Sequence, residues 1–286
     1  MTSTKTNFII VGVALALVTY LAVRPQVHDC EQSDHTLLAL IDFTDPIGAD
    51  AVSTIKNTVW SAILNLPDNS KVIFKPILGS DSRGGPIDRK AVEFCRPEKP
   101  NALTGLSGPA VDIAEKWQKF MDKVCGSSKN GDSKISSCGD MSRVDNFFGG
   151  TYKASQSSPI YEEIVDDFRT HLGDVKTWHL IVASDWKQYT PPTINLHTQK
   201  CNNGAISGAI LSQLLVGKNQ KIFNDGNPKD KNTVEPLFVL RSDMTASEAD
   251  CLEQVSDNVL RALSYSPPPE FPSKPIRLSV TQSTPH

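Results

Sequence analysis

Apolar residues along the chain fall into two alternating kinds of run. Leu37-Leu38-Ala39-Leu40-Ile41 is continuous and ends at Asp42, the pattern of a strand covered on both faces. Val52, Ile55, Val59, Ile63 and Leu66 then recur at steps of three and four, predicting an amphipathic helix that Asp45-Pro46 opens and Pro67 closes. Residues 71–78 read as a second strand, with Pro76 marking an edge position or a bulge. After a long irregular stretch, Ser158-Pro159 caps a helix carrying Ile160, Ile164, Phe168 and Leu172, and residues 178–183 form a strand. Ile206, Ile210 and Leu214 predict a short helix within 205–216, and residues 236–240 another strand. Thr245-x-x-Glu248 is a capping box opening a helix with Leu252, Val255, Val259 and Leu263.

Strand and helix alternating in this order predict an α/β fold: a three-layer, Rossmann-like, mostly parallel sheet with helices on both faces. The domain spans residues 36–265, with irregular insertions at about 79–156 and 190–232 that are rich in Gly, Ser, Asn and Pro. The first insertion holds one helix, 109–124, with Ile113, Trp117, Phe120 and Val124 on one face. Three consecutive prolines and little apolar content make residues 266–286 a disordered tail.

Ahead of the domain, no residue between Lys5 and Arg24 is charged, and as a helix these 18 residues span about 27 Å, close to the hydrocarbon core of a bilayer. Residues 1–24 read as a single N-terminal transmembrane anchor, with a cleavable signal peptide as the alternative, and residues 25–35 as a spacer. Lys5 and the amino terminus against Arg24 favour the N-inside orientation, giving a single-pass inner-membrane protein whose C-terminal domain is periplasmic or extracellular. Six cysteines without a C-x-x-C pair point to disulfides in an oxidising compartment; their connectivity is open, with Cys125 and Cys138 placed to close one irregular loop. A net charge of -3 and a pI near 6.1 offer no basic field for a phosphate backbone, so nucleic acid is not an expected partner.

In open α/β sheets ligands sit beyond the carboxyl ends of the strands. There the chain places Asp42-Phe43-Thr44-Asp45-Pro46 after the first strand and Ser184-Asp185-Trp186 after the 178–183 strand, with Ser157-Ser158 opening the helix between them. This arrangement resembles the metal-ion-dependent adhesion site of von Willebrand A (vWA) domains, in which an Asp-x-Ser/Thr-x-Ser turn, a later loop hydroxyl and a later Asp bind a divalent cation. The resemblance implies that Asp42, Thr44, Ser158 (or Ser157) and Asp185 hold Mg²⁺, and it covers roughly residues 36–264. Pro46 departs from the pattern, standing where the third hydroxyl belongs, and Asp45 is read as a helix cap.

The chain is similar to bacterial membrane-anchored envelope proteins carrying this domain. The resemblance implies a non-enzymatic binding or scaffold component that engages another envelope protein through this face. The alternatives are a metal-assisted envelope hydrolase of phosphoesterase type using the same aspartates, and a domain without metal whose insertion makes the contacts. No P-loop, G-x-S-x-G, H-E-x-x-H or dinucleotide fingerprint is present, and Gly105-Leu106-Ser107-Gly108 reads as the turn before a helix. The six histidines are scattered without metal-ligand spacing, and His179, within a strand, reads as structural.

Overall fold

The structure is a computed structural model, and it describes residues 33–79, 91–100, 108–125, 147–148, 157–190, 194–196, 200–214, 222–223, 232–241, 243–264 and 276–279. The expected anchor, residues 1–24, lies outside them; among the described residues no helix is long and apolar enough to cross a membrane.

The continuous apolar run forms strand β1, His35–Asp42, in which Leu37 to Ile41 are fully buried. Helix α1, Ala49–Asn65, presents Ala51, Ile55, Val59 and Ile63 to the core and stops before Pro67, as the spacing predicts. Strands β2, Ser70–Ile77, and β3, Val92–Arg96, follow, then helix α2, Gly108–Cys125. Helix α3, Ile160–His171, leads into β4, Thr177–Ser184, and a small hairpin pairs β5, Tyr189–Thr190, with β6, Ile194–Asn195. Helix α4, Asn203–Leu214, β7, Thr233–Leu240, α5, Ala246–Ala262, and β8, Ile276–Ser279, complete the domain.

Six strands make one sheet in the order β3-β2-β1-β4-β7-β8, parallel throughout except that β3 runs antiparallel to β2. Alternate strand residues feed two cores. Leu38, Leu40, Leu180 and Val182 face α3, α4 and α5, while Leu37, Ala39, Ile181 and Ala183 face α1 and α2. The architecture is therefore α/β with helices on both faces of a mostly parallel sheet.

Several local readings are corrected. The helix after β1 begins three residues beyond Pro46, with Gly48 at its N-cap and no side-chain cap bond, so Asp45 is not the cap. Ser158 is not a cap either: Pro159 precedes the first turn of α3 and the Tyr161 N–H is met by Gln188 Oε1 at 3.2 Å. The 79–156 stretch supplies β3, whose Arg96 is buried beside Asp68 at 2.6 Å and lies 5.4 Å from the Trp117 ring, so that the edge strand, a turn and α2 are tied together. Phe120 and Met121 of α2 and Phe147 and Phe148 from the same stretch are buried in the α1-side core. The tail contributes β8, seated against β7 by the buried Leu278. Pro76 lies in an interior strand, but the β3 pairing ends at Phe74, so the missing N–H falls where β2 has lost that neighbour.

The Thr245 capping box is present, with Thr245 Oγ1 accepting from Glu248 N at 3.2 Å. Cys201, just before α4, is bonded to Cys251 in α5, and Cys95 is also in a disulfide; among the described residues no cysteine is free. Cys30 and Cys138 lie outside the described residues.

Candidate functional site

β1 connects onward to β2 on one side of it, whereas β4 lies on its other side, so the chain reverses direction across the sheet between β1 and β4. A crevice beyond the carboxyl ends of the strands at such a point is where open α/β sheets bind ligands. The register pairs Ile41 with Ala183, which sets Asp42 beside Ser184 at this crevice. Both aspartates expected at the site lie here, with Asp42 5% and Asp185 7% exposed.

Asp42 is held by three donors. Its Oδ1 accepts from Thr44 N at 2.9 Å and Thr44 Oγ1 at 2.6 Å, and its Oδ2 accepts from Ser184 Oγ at 2.6 Å. Thr44 Oγ1 is 3.0 Å from Ser158 Oγ, so Asp42, Thr44 and Ser158 form one buried chain. The loop carrying Ser158 is fixed by a two-way backbone bridge to Tyr189, at 2.8 and 3.0 Å. Of the two serines open in the sequence, Ser158 is in contact with Thr44.

Asp185 is less well served. Its Oδ1 accepts from Lys187 N at 2.9 Å, but its Oδ2 is buried without a hydrogen-bond partner, and Arg241 Nη1 stands 3.5 Å away. Burial raises the Asp42 carboxyl above the usual range, against the pull of its bonds to Ser184 and Thr44. Burial and then the charge of Asp42 push Asp185 up to about 7. Two carboxylates sharing a dry crevice disfavour one another's ionised form, and the ionised pair calls for a cation between them.

The turn that presents Asp185 is built from the residues after it. Trp186 takes a left-handed backbone, φ 60°, a conformation costly for a bulky residue. It persists because the ring is fully buried, stacked on Phe238 at 5.3 Å with Tyr161 5.8 Å away, and because Trp186 N donates to Ser184 Oγ at 2.8 Å. Around the rim, Arg241 pairs with Asp45 and, at 3.1 Å, with Asp243, while Lys187 pairs with Glu248 at 2.9 Å.

Arg241 and Lys187 are participants that the sequence does not single out, and Ser184, noted there only as part of the strand-end motif, has a role in the network. Each has a positional signal, since Ser184 is the last residue of β4 and Arg241 the first after β7, the same strand-end location that singles out Asp42. Pro46 supplies no hydroxyl, and Ser184, bonded to the other oxygen of Asp42, is the additional hydroxyl in the network.

The donors are all oxygens, the chemistry that hard cations such as Mg²⁺ prefer, and Asp185 Oδ2 is buried without a hydrogen bond, its charge met among the described residues only by Arg241 at 3.5 Å. Asp42, Thr44, Ser158 and Asp185 therefore fit a divalent cation in donor type. Among the described residues, no group of three or more His, Cys, Asp or Glu side chains is placed to hold a metal; this set rests on two carboxylates and two hydroxyls. A separate cavity of about 640 Å³ opens at the opposite, amino-terminal end of the strands, where His179 meets Glu235 at 3.0 Å in the structural pairing expected of a strand histidine. No protein-family model matches the chain, and no curated protein matches it.

Proposed function

We propose that the chain is a membrane-anchored, vWA-like binding or scaffold component of the bacterial cell envelope, engaging another envelope protein through the strand-end face of Asp42, Thr44, Ser158 and Asp185 with Mg²⁺. The observation that carries this reading is the buried Asp42–Thr44–Ser158 chain facing an Asp185 oxygen without a hydrogen-bond partner, at the reversal point of the sheet. In this reading the ion, when bound, neutralises the two carboxylates and offers a coordination position to an oxygen of the partner. The chain's own residues set the rest. Asp42 and Asp185 bring charge, Thr44 and Ser158 bring neutral oxygens, and Ser184 orients Asp42 from behind. Export is supported by the Cys201–Cys251 bridge and by the disulfide-bonded Cys95, which suit an oxidising compartment.

Binding is favoured over hydrolysis by how the hydroxyls are used. Thr44, Ser158 and Ser184 are all engaged within the network, and among the described residues no histidine or cysteine hydrogen-bonds to them, so no nucleophile and base stand paired beside the aspartates.

The test is a melting experiment on the full-length chain in detergent with and without Mg²⁺, then with chelator. At a concentration 100 times the dissociation constant the ion adds about 2.7 kcal/mol of stability. The wild type melts higher with Mg²⁺, and Asp185→Asn, which keeps the shape of the side chain but not its charge, loses that rise. An unchanged wild-type melting temperature across the Mg²⁺ range overturns the cation.

A further inference from the structure

Arg241 is the cation that the crevice already possesses. Its guanidinium pairs with Asp45, donates to Asp243 from Nε at 3.1 Å, and places Nη1 3.5 Å from Asp185 Oδ2, too long for a hydrogen bond but close enough for Coulomb attraction. Of the four carboxylate oxygens of Asp42 and Asp185, that is the one without a hydrogen bond. The side chain comes from the first residue after β7, reaching over the carboxyl end of the neighbouring β4, and is 28% exposed, so it sits at the mouth and not in the floor of the site. We infer that Arg241 is an internal competitor for the bound cation: its guanidinium and the ion draw on the same Asp185 oxygen, and entry of the ion requires Nη1 to move away from Asp185 while Arg241 stays paired with Asp45 and Asp243.

Three features converge on this role. A second positive charge beside a divalent ion is repelled by it, and the repulsion is strong where water is thin. Arg241 has somewhere to go, because its contacts with Asp45 and Asp243 lie toward solvent, at side-chain exposures of 35% and 61%. The pairing also gives Asp45 a role: an acidic residue at the rim holds the guanidinium in reach of Asp185 without closing the site. Arg241 thereby sets how tightly the ion is held, leaving an exchangeable cation in place of a permanent one.

This inference rests on the cation reading above, and the experiment separates the two. Mg²⁺ is titrated calorimetrically into the full-length chain in detergent for the wild type, Arg241→Gln, Arg241→Met and Asp185→Asn, after a metal-free melt has shown each to be folded. Both Arg241 variants bind Mg²⁺ about three- to tenfold tighter than the wild type, the range expected when a partly exposed charge contact is removed. Asp185→Asn binds weakly or not at all. Affinity equal to or below wild type in the folded Arg241 variants overturns the competitor role and leaves the cation site standing. No heat from the wild type or from either Arg241 variant removes the cation reading, and the inference with it.

Discussion

Ser184 shows how much one hydroxyl holds in place. It donates to Asp42 Oδ2 at 2.6 Å and accepts from Trp186 N at 2.8 Å, so it orients the aspartate and anchors the left-handed turn at the same time. Ser184→Ala leaves a buried carboxylate oxygen and a buried N–H without their partner, which lowers unfolding stability by about 1–3 kcal/mol in urea denaturation. A variant as stable as wild type would show that water replaces the hydroxyl. Asp42 and Asp185 were legible in the sequence because one ends and the other directly follows an apolar strand, and the parallel fold brings strand ends together; Thr44 came from the resemblance of the turn after β1 to the vWA motif. Asp45 was misread because Asp-Pro is a strong local signal for a helix start, while the group that captures it, Arg241, is 196 residues away. Local pattern carries no information about that partner. Arg241 stands at the same kind of strand end, directly after β7, but a basic side chain gives no ligand signal in a sequence, where acids and hydroxyls do.

At the level of elements, buried interior strands and amphipathic helices were readable and the two edge strands were not. β1 and β4 follow from largely apolar runs of five and six residues, and α1 and α5 from periods sustained over three turns or more. β8 has four residues, of which Leu278 is buried, while Arg277 beside it pairs with Asp250 and Glu253 of α5. β3 is likewise an edge strand whose partial burial gives a weak signal in a polar stretch. The buried leucine and the exposed ion pairs predict unequal effects in urea denaturation. Leu278→Asp puts a charge into the α1-side core and costs about 3 kcal/mol or more, whereas Arg277→Ala costs less than about 1 kcal/mol. Equal effects would mean that β8 is held by its surface and not by its core contact. The disulfide acts at the same scale. Cys201 and Cys251 are 50 residues apart, and the bridge ties the segment entering α4 to α5, the helix it packs against. By loop-closure entropy its removal in Cys201→Ser/Cys251→Ser costs up to about 4 kcal/mol, with proteolytic cleavage appearing first around α4.

Across the whole molecule, the buried and half-buried acids pull stability in one direction with pH. On the α3 side of the sheet, the buried Asp167 pairs with Lys75, and Glu163 stands one helical turn away on the same face. Burial, followed by the charge of Asp167, pushes Glu163 from the ordinary 4.5 up to about 7; Asp167 itself is raised by burial against the pull of Lys75. A carboxyl with a raised folded pKa binds its proton more tightly folded than unfolded. Its contribution is complete below the unfolded value and is lost as pH rises through the folded one. Between about 4.5 and about 7 the unfolded chain releases the Glu163 proton first, so stability falls across that window and levels above it. Asp42 and Asp185 are shifted the same way, so they steepen the fall. His171 is shifted down, mainly by burial, which destabilises the fold when pH drops below its ordinary 6.5 and blunts the trend without reversing it, because four acids oppose one imidazole. Glu163→Gln isolates one member: the amide resembles the protonated acid at every pH. In metal-free buffer the variant therefore matches the wild type near pH 4.5, melts higher above pH 7, and shows a shallower decline between. Parallel melting curves for the two proteins would show that Glu163 ionises as freely in the folded chain as in the unfolded one, with solvent reaching it along the exposed side of α3.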